Sequence, residues 1–96
     1  VQLSEDEYTA LYYEYKSEQY KSVIEKSTLA IRKFEGRPIV PKLELLKAYS
    51  IGKTEGLAAF KQALEFIAIN YPNTDEGKKA LELIATIELK QNQPTN

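Results

Sequence analysis

Displaced by 37 residues, the sequence partly matches itself, and this restricts the fold more than any other feature. Tyr12 falls on Tyr49, Tyr20 on Leu57, Val23 on Phe60, Ala30 on Ile67, Ile31 on Ala68 and Phe34 on Tyr71. The match is one of residue class more than identity. A repeating unit of roughly 20–50 residues cannot bury its apolar face alone, so neighbouring units must stack. A chain of 96 residues has room for two such units and one further element.

Each unit is helical in its spacing. Ser4 and Glu7 have the spacing of a capping box, with Glu5 and Asp6 suited to the positive end of a helix. From there Tyr8, Leu11, Tyr12 and Tyr15 recur at three and four residues. Ser17 to Gln19 is a short polar turn. A second helix follows, with Tyr20, Val23, Ile24, Ser27, Ala30, Ile31 and Phe34 on one face, and Gly36 suited to the left-handed residue that ends it. Arg37 and Val40 precede prolines and are expected to be extended. Pro41 suits the first position of a third helix, apolar around much of its girth and stopped by Gly52. A fourth helix is expected from about Thr54 to Asn70, with Leu57, Phe60, Leu64, Ile67 and Tyr71 as its stripe. After the break at Tyr71-Pro72-Asn73-Thr74, Asn73 or Thr74 caps a fifth helix. Ala80, Leu83, Ile84 and Ile87 form the inner face of that helix, which covers the apolar surface left by the last pair. Residues 91–96 read as a frayed polar tail.

Composition narrows the chemistry. The chain has no cysteine and no histidine, which removes thiol nucleophiles, imidazole acid–base catalysis and the usual zinc ligands. Thirteen basic and fourteen acidic side chains give a net charge near zero, so nothing global selects nucleic acid. The longest apolar run, Phe66 to Ile69, is far shorter than the roughly 20 residues of a membrane span. Asn73 to Gly77 has oxygens at the wrong spacing for a calcium loop, since Pro72 falls on the first ligand position. No phosphate-cradling glycine loop is present, and the carboxylate pairs sit at exposed first turns of helices. No enzymatic activity, cofactor or metal is expected. The chain begins at Val1 without an initiator methionine, which suggests a processed protein or a piece of a longer one.

Helix pairs with small residues at their crossings and a proline near the end resemble the tetratricopeptide repeat (TPR) family. The first pair matches through Leu11, Tyr15, Tyr20, Val23 and Ala30, and the second through Ala48, Tyr49, Phe60, Ala63 and Pro72. The resemblance covers roughly Glu5 to Ile87. It departs from the family in its period of 37 and in lacking the glycines of the first helix and first turn. Phe60 to Ile67, followed by Tyr71-Pro72-Asn73-Thr74 and Ala80, is similar to bacterial envelope TPR lipoproteins of outer-membrane assembly or of type IX secretion and gliding motility. The resemblance implies a right-handed solenoid: repeat 1 at residues 4–35, repeat 2 at 41–71 and a capping helix at 74–90, all in one domain. It also implies a periplasmic or outer-membrane-associated location.

In TPR proteins the first helix of each pair lines the concave face. Carried onto this chain, the resemblance gives Tyr8, Tyr12, Lys16, Lys42, Leu45, Tyr49 and Lys53 as candidate partner-binding residues. Tyr8 and Tyr12 stand where a carboxylate clamp needs lysine and asparagine, which argues against that mode. Five of the seven tyrosines fall between residues 8 and 20. Helical spacing packs Tyr15 and Tyr20 between helices. Tyr12 and Tyr13 point about 100° apart, so Tyr8, Tyr12 and Tyr13 cannot all be inside. Arg32, Lys33, Arg37, Lys42, Lys47 and Lys53 form either a basic belt for an acidic partner or solvated cations near helix ends.

The resulting expectation is a non-catalytic interaction module that takes another protein or peptide segment on its concave face. The rival expectation is a structural piece of a longer solenoid whose open edge packs on further repeats. The sequence leaves the oligomeric state open.

Overall fold

The computed structural model describes residues 2–92, with side chains from Ser4 onward. They form five helices: α1 (Gln2–Lys16), α2 (Tyr20–Lys33), α3 (Ile39–Glu55), α4 (Leu57–Asn70) and α5 (Asp75–Gln91). No strand occurs among the described residues. The expected all-α class holds, and part of the expected polar tail, residues 93–96, lies outside the described residues.

The helix bounds carry the 37-residue displacement. α1 and α3 begin at Gln2 and Ile39, α2 and α4 begin at Tyr20 and Leu57, and α2 and α4 end at Lys33 and Asn70. Backbone bonds at the helix ends repeat as well. Val23 N–H donates to Gln19 O and Phe60 N–H to Gly56 O, each at 3.0 Å. Phe34 N–H donates to Ala30 O at 2.9 Å, and Tyr71 N–H to Ile67 O at 2.8 Å. Different residue types therefore close equivalent turns. At each C-cap an aromatic ring packs on the apolar core.

α3 is the central element and packs on all four other helices. α1 also packs on α2, and α5 on α4, whereas no Cα atoms of α2 and α4 approach within 8 Å. The helices thus form two rows, α1–α3–α5 and α2–α4, in a flat slab of 50 × 29 × 16 Å. Leu11, Val23, Ala30, Phe34, Leu43 and Leu46 belong to one buried cluster; Ala48, Leu64, Ile67, Ala80 and Ile87 form a second. Tyr71 packs against both.

Four local expectations are corrected. Ser4 does not open α1: the helix begins earlier, and Ser4 lies buried in its first turn. Val40 is helical although it precedes Pro41, because first-turn N–H groups have no intrahelical acceptor to lose and Ile39, Val40 and Pro41 are all buried. Gly52 does not stop α3, which continues to Glu55. A Cβ on Gly52 would lie 2.9 Å from the Phe60 ring, so the glycine serves close packing of α4 on α3. The break falls instead at Gly56, with φ 96°, so α4 starts at Leu57 rather than near Thr54. Thr54 Oγ1 donates to Ser50 O at 3.0 Å within α3. At α5 the expected cap is found at Thr74, whose Oγ1 accepts from Gly77 N–H at 2.9 Å. Gly36 has the left-handed conformation expected of it, φ 82°.

Candidate functional site

The first helices of the two pairs and α5 enclose a hollow of about 210 Å³. α1 contributes Tyr8, Tyr12 and Tyr15, three or four residues and so about one turn apart. α3 contributes Lys42, Leu45, Leu46 and Tyr49, and α5 contributes Glu76. Five of the seven candidate residues, Tyr8, Tyr12, Lys42, Leu45 and Tyr49, are thereby brought together. Lys53 lines an adjoining hollow of about 370 Å³ with Gly52, Leu57, Phe60 and Leu83. Tyr15 and Tyr49 form the wall shared by both. Lys16 lines neither, and its Nζ sits 5.9 Å from the Tyr12 ring centroid.

The walls are a run of aromatic contacts. Ring centroids lie 5.5 Å apart for Tyr15 and Tyr20, 6.3 Å for Tyr15 and Tyr49, and 5.9 Å for Tyr49 and Phe60. These spacings suit edge and tilted packing of π faces. Tyr15 therefore does what its spacing suggested, packing between helices, and also faces the hollow. Tyr12 is 40% exposed, and Tyr13 is turned out to solvent in edge contact with it. Burial pushes the Tyr8 phenol above its usual pKa, with Tyr12 and Glu76 adding to the effect. Burial likewise raises Tyr49, with Tyr15 adding. Both phenols are thus neutral at physiological pH, each able to donate and accept a hydrogen bond.

Two of the candidate lysines rest on tyrosine rings. Lys42 Nζ lies 5.5 Å from the Tyr8 centroid, as Lys16 does near Tyr12. Such cation–π contacts contribute about 0.5–1 kcal/mol at exposed sites, so both ammonium groups rest along the aromatic wall. The basic belt is divided in the same way: Lys33 donates to Glu7 Oε1 at 2.6 Å and lies near the Phe34 ring, while Lys47 faces a different cleft. Sequence reasoning missed Glu76, which only the docking of α5 brings beside Tyr8. Among the described residues no three acidic side chains converge as a metal ion would need, and no helix is long and apolar enough to cross a membrane.

On the other side of α3, Glu44 and Lys47 share a cleft with Ala48, Ile51, Ala63 and Phe66. Burial raises the Glu44 carboxyl above its usual pKa, partly offset by Lys47. A carboxyl raised in the folded state contributes stability that is present below its unfolded pKa and lost as pH rises through the folded value. Glu44→Gln is therefore expected to melt higher than the parent at pH 7. That difference should shrink as the pH falls toward the ordinary carboxyl value of 4.5. A pH series of thermal melts checks this, and a gap that is constant or widens toward acid would contradict it.

Comparison with protein-family models and with curated proteins finds no match to this chain.

Proposed function

We propose that the protein is a non-catalytic binding module that takes an extended segment of another protein in the tyrosine-lined hollow of α1, α3 and α5. The observation that carries this reading is the convergence of repeat-equivalent residues, Tyr12 and Tyr49, on one open, apolar-walled hollow. A segment lying across successive first helices meets the same side-chain type at each repeat. Tyrosine is a frequent hot spot because its ring is large and rigid and its hydroxyl can pair. Lys42 and Glu76 both line the hollow, and Lys53 lines the adjoining one beyond Tyr15 and Tyr49. A segment crossing both hollows would pass a mixed-charge end and then a basic one, which would orient it. The resemblance to envelope repeat proteins makes a bacterial envelope assembly or secretion machine the proposed setting.

The test compares the parent with Tyr12→Ala and with Tyr12→Ala/Tyr49→Ala, after circular dichroism has established that each variant is folded. A partner recovered from the envelope fraction by the parent should be titrated against all three. The double variant is expected to lose about 2 kcal/mol or more, roughly a thirtyfold weakening. Charge reversal at Lys16 and Lys53 should mainly slow association and change its salt dependence. A folded double variant that binds as tightly as the parent would move the site elsewhere.

A further inference from the structure

The two helix pairs share more than their backbone register. A cleft of about 380 Å³ between α1 and α2 is lined in part by Glu7, Ala10, Leu11, Glu14, Lys26 and Leu29. Displaced by 37 residues, these fall in order on Glu44, Lys47, Ala48, Ile51, Ala63 and Phe66. Those six residues line the cleft between α3 and α4. Each pair thus presents the same face of its first helix to its second helix. At the centre of that face Leu11 is 5% exposed and Ala48 is 1% exposed.

A second application of the displacement reaches α5. Glu44, Lys47, Ala48 and Ile51 fall on Leu81, Ile84, Ala85 and Glu88, and Gly52 falls on Leu89. α5 packs on α3 and α4 as α3 packs on α1 and α2. Ile84 packs on the second core and Glu88 pairs with Lys61 of α4. The rest of the face in this register is uncovered: Leu81 is 55% exposed, Leu89 is 70% exposed and Ala85 lies in the open between them. These three residues are four apart and make one stripe along the helix. The outward face of a helix that merely ends a stack is polar, and this stripe is apolar.

We infer that α5 is the first helix of a third pair. Its stripe of Leu81, Ala85 and Leu89 docks an amphipathic helix of the same polypeptide, antiparallel to α5 and placed as α4 is placed on α3. The internal register also specifies what faces Leu89. In the second pair Gly52 receives the large ring of Phe60; in the first pair the equivalent residues are Tyr15 and Val23. Large thus meets small or medium at this crossing, so the docked helix carries a small or β-branched residue opposite Leu89. The α2 sequence, with Val23 there, meets that requirement, and the α4 sequence does not.

The experiment appends a second copy of residues 19–36 directly after Asn92, the junction at which Gln19 takes its repeat position. The extended chain is expected to melt about 5 °C or more above the parent. It should stay monomeric and show slowed hydrogen exchange at the appended amides. Leu81→Lys with Leu89→Lys should abolish that gain in the extended chain and leave the melting point of the parent almost unchanged, since both side chains are exposed there. An extended chain that melts with the parent and exchanges its added amides at random-coil rates would overturn the inference. So would a dimeric parent that Leu81→Lys/Leu89→Lys converts to monomer, because a second copy would then be what covers the stripe.

Discussion

Leu64→Ala is expected to destabilise the protein by about 3–5 kcal/mol, the upper part of the range for truncating a fully buried leucine. Leu64 has no solvent exposure and is enclosed by Ala48, Ile67, Ala80 and Ile87, drawn from α3, α4 and α5. Three helices converge on it, so the cavity left by the lost atoms cannot close by moving one side chain. A domain of this size is stable by about 5–14 kcal/mol in all, so the variant loses a large share of the total. The corresponding fall in Tm is about 15–25 °C. Denaturant melts of parent and variant measure it, with an unchanged slope showing that the unfolded reference is the same. Phe60 shares the α4 stripe but is only half-buried, packing on Gly52 and Tyr49. Phe60→Ala is expected at the lower end of the range for such truncations, about 3 kcal/mol. A Leu64→Ala variant that melts within a degree or two of the parent would mean that α4 does not form the second core.

Gly77→Ala is expected to be nearly as damaging, although it adds one methyl group to a helix. By propensity alone alanine should stabilise a helical position by about 1 kcal/mol over glycine. At residue 77 space decides the sign. A Cβ there would overlap the Tyr71 carbonyl oxygen and lie 2.8 Å from the carbonyl carbon and 3.2 Å from Pro72 Cα. These are backbone atoms, which no rotamer change can move. The carbonyl is also fixed as the acceptor of Thr74 Oγ1 at 2.7 Å, while the same hydroxyl oxygen accepts from Gly77 N–H. Relief of the overlap would open this cap and lift the first turn of α5 from α4. Overpacking of this kind costs about 1–3 kcal/mol and more where the backbone must shift, so a net loss of about 2–3 kcal/mol is expected. Thermal melts of Gly77→Ala beside an exposed control such as Lys78→Ala measure it. A Gly77→Ala variant more stable than the parent would show that propensity outweighs the contact.

The helices, their order and the 37-residue register were legible in the sequence, because they rest on local physics. Apolar residues three and four apart specify a helix and its buried side, and a proline or a threonine cap marks an end whatever lies beyond. Thus the ends of α2 and α4 fall where Phe34 and Tyr71 place them, and the α5 cap falls at Thr74. Most of the hollow was legible for the same reason: equivalent positions on equivalent helices arrive at equivalent places, which brings Tyr12 and Tyr49 to one surface. What the sequence could not decide depended on another helix. Gly52 has the local character of a stop, yet it sits inside α3 because the Phe60 ring needs the space a side chain would fill. Val40 has the local character of an extended residue, yet the burial of Ile39, Val40 and Pro41 draws it into the first turn. Glu76 is an ordinary first-turn acid until α5 docks and sets it beside Tyr8. Leu81 and Leu89 look like two more apolar residues of an amphipathic helix, and only the docked direction of α5 leaves them facing water. Local propensities amount to about 1 kcal/mol per residue, and packing terms at a buried crossing reach several. Wherever the two disagreed, the packing between helices decided.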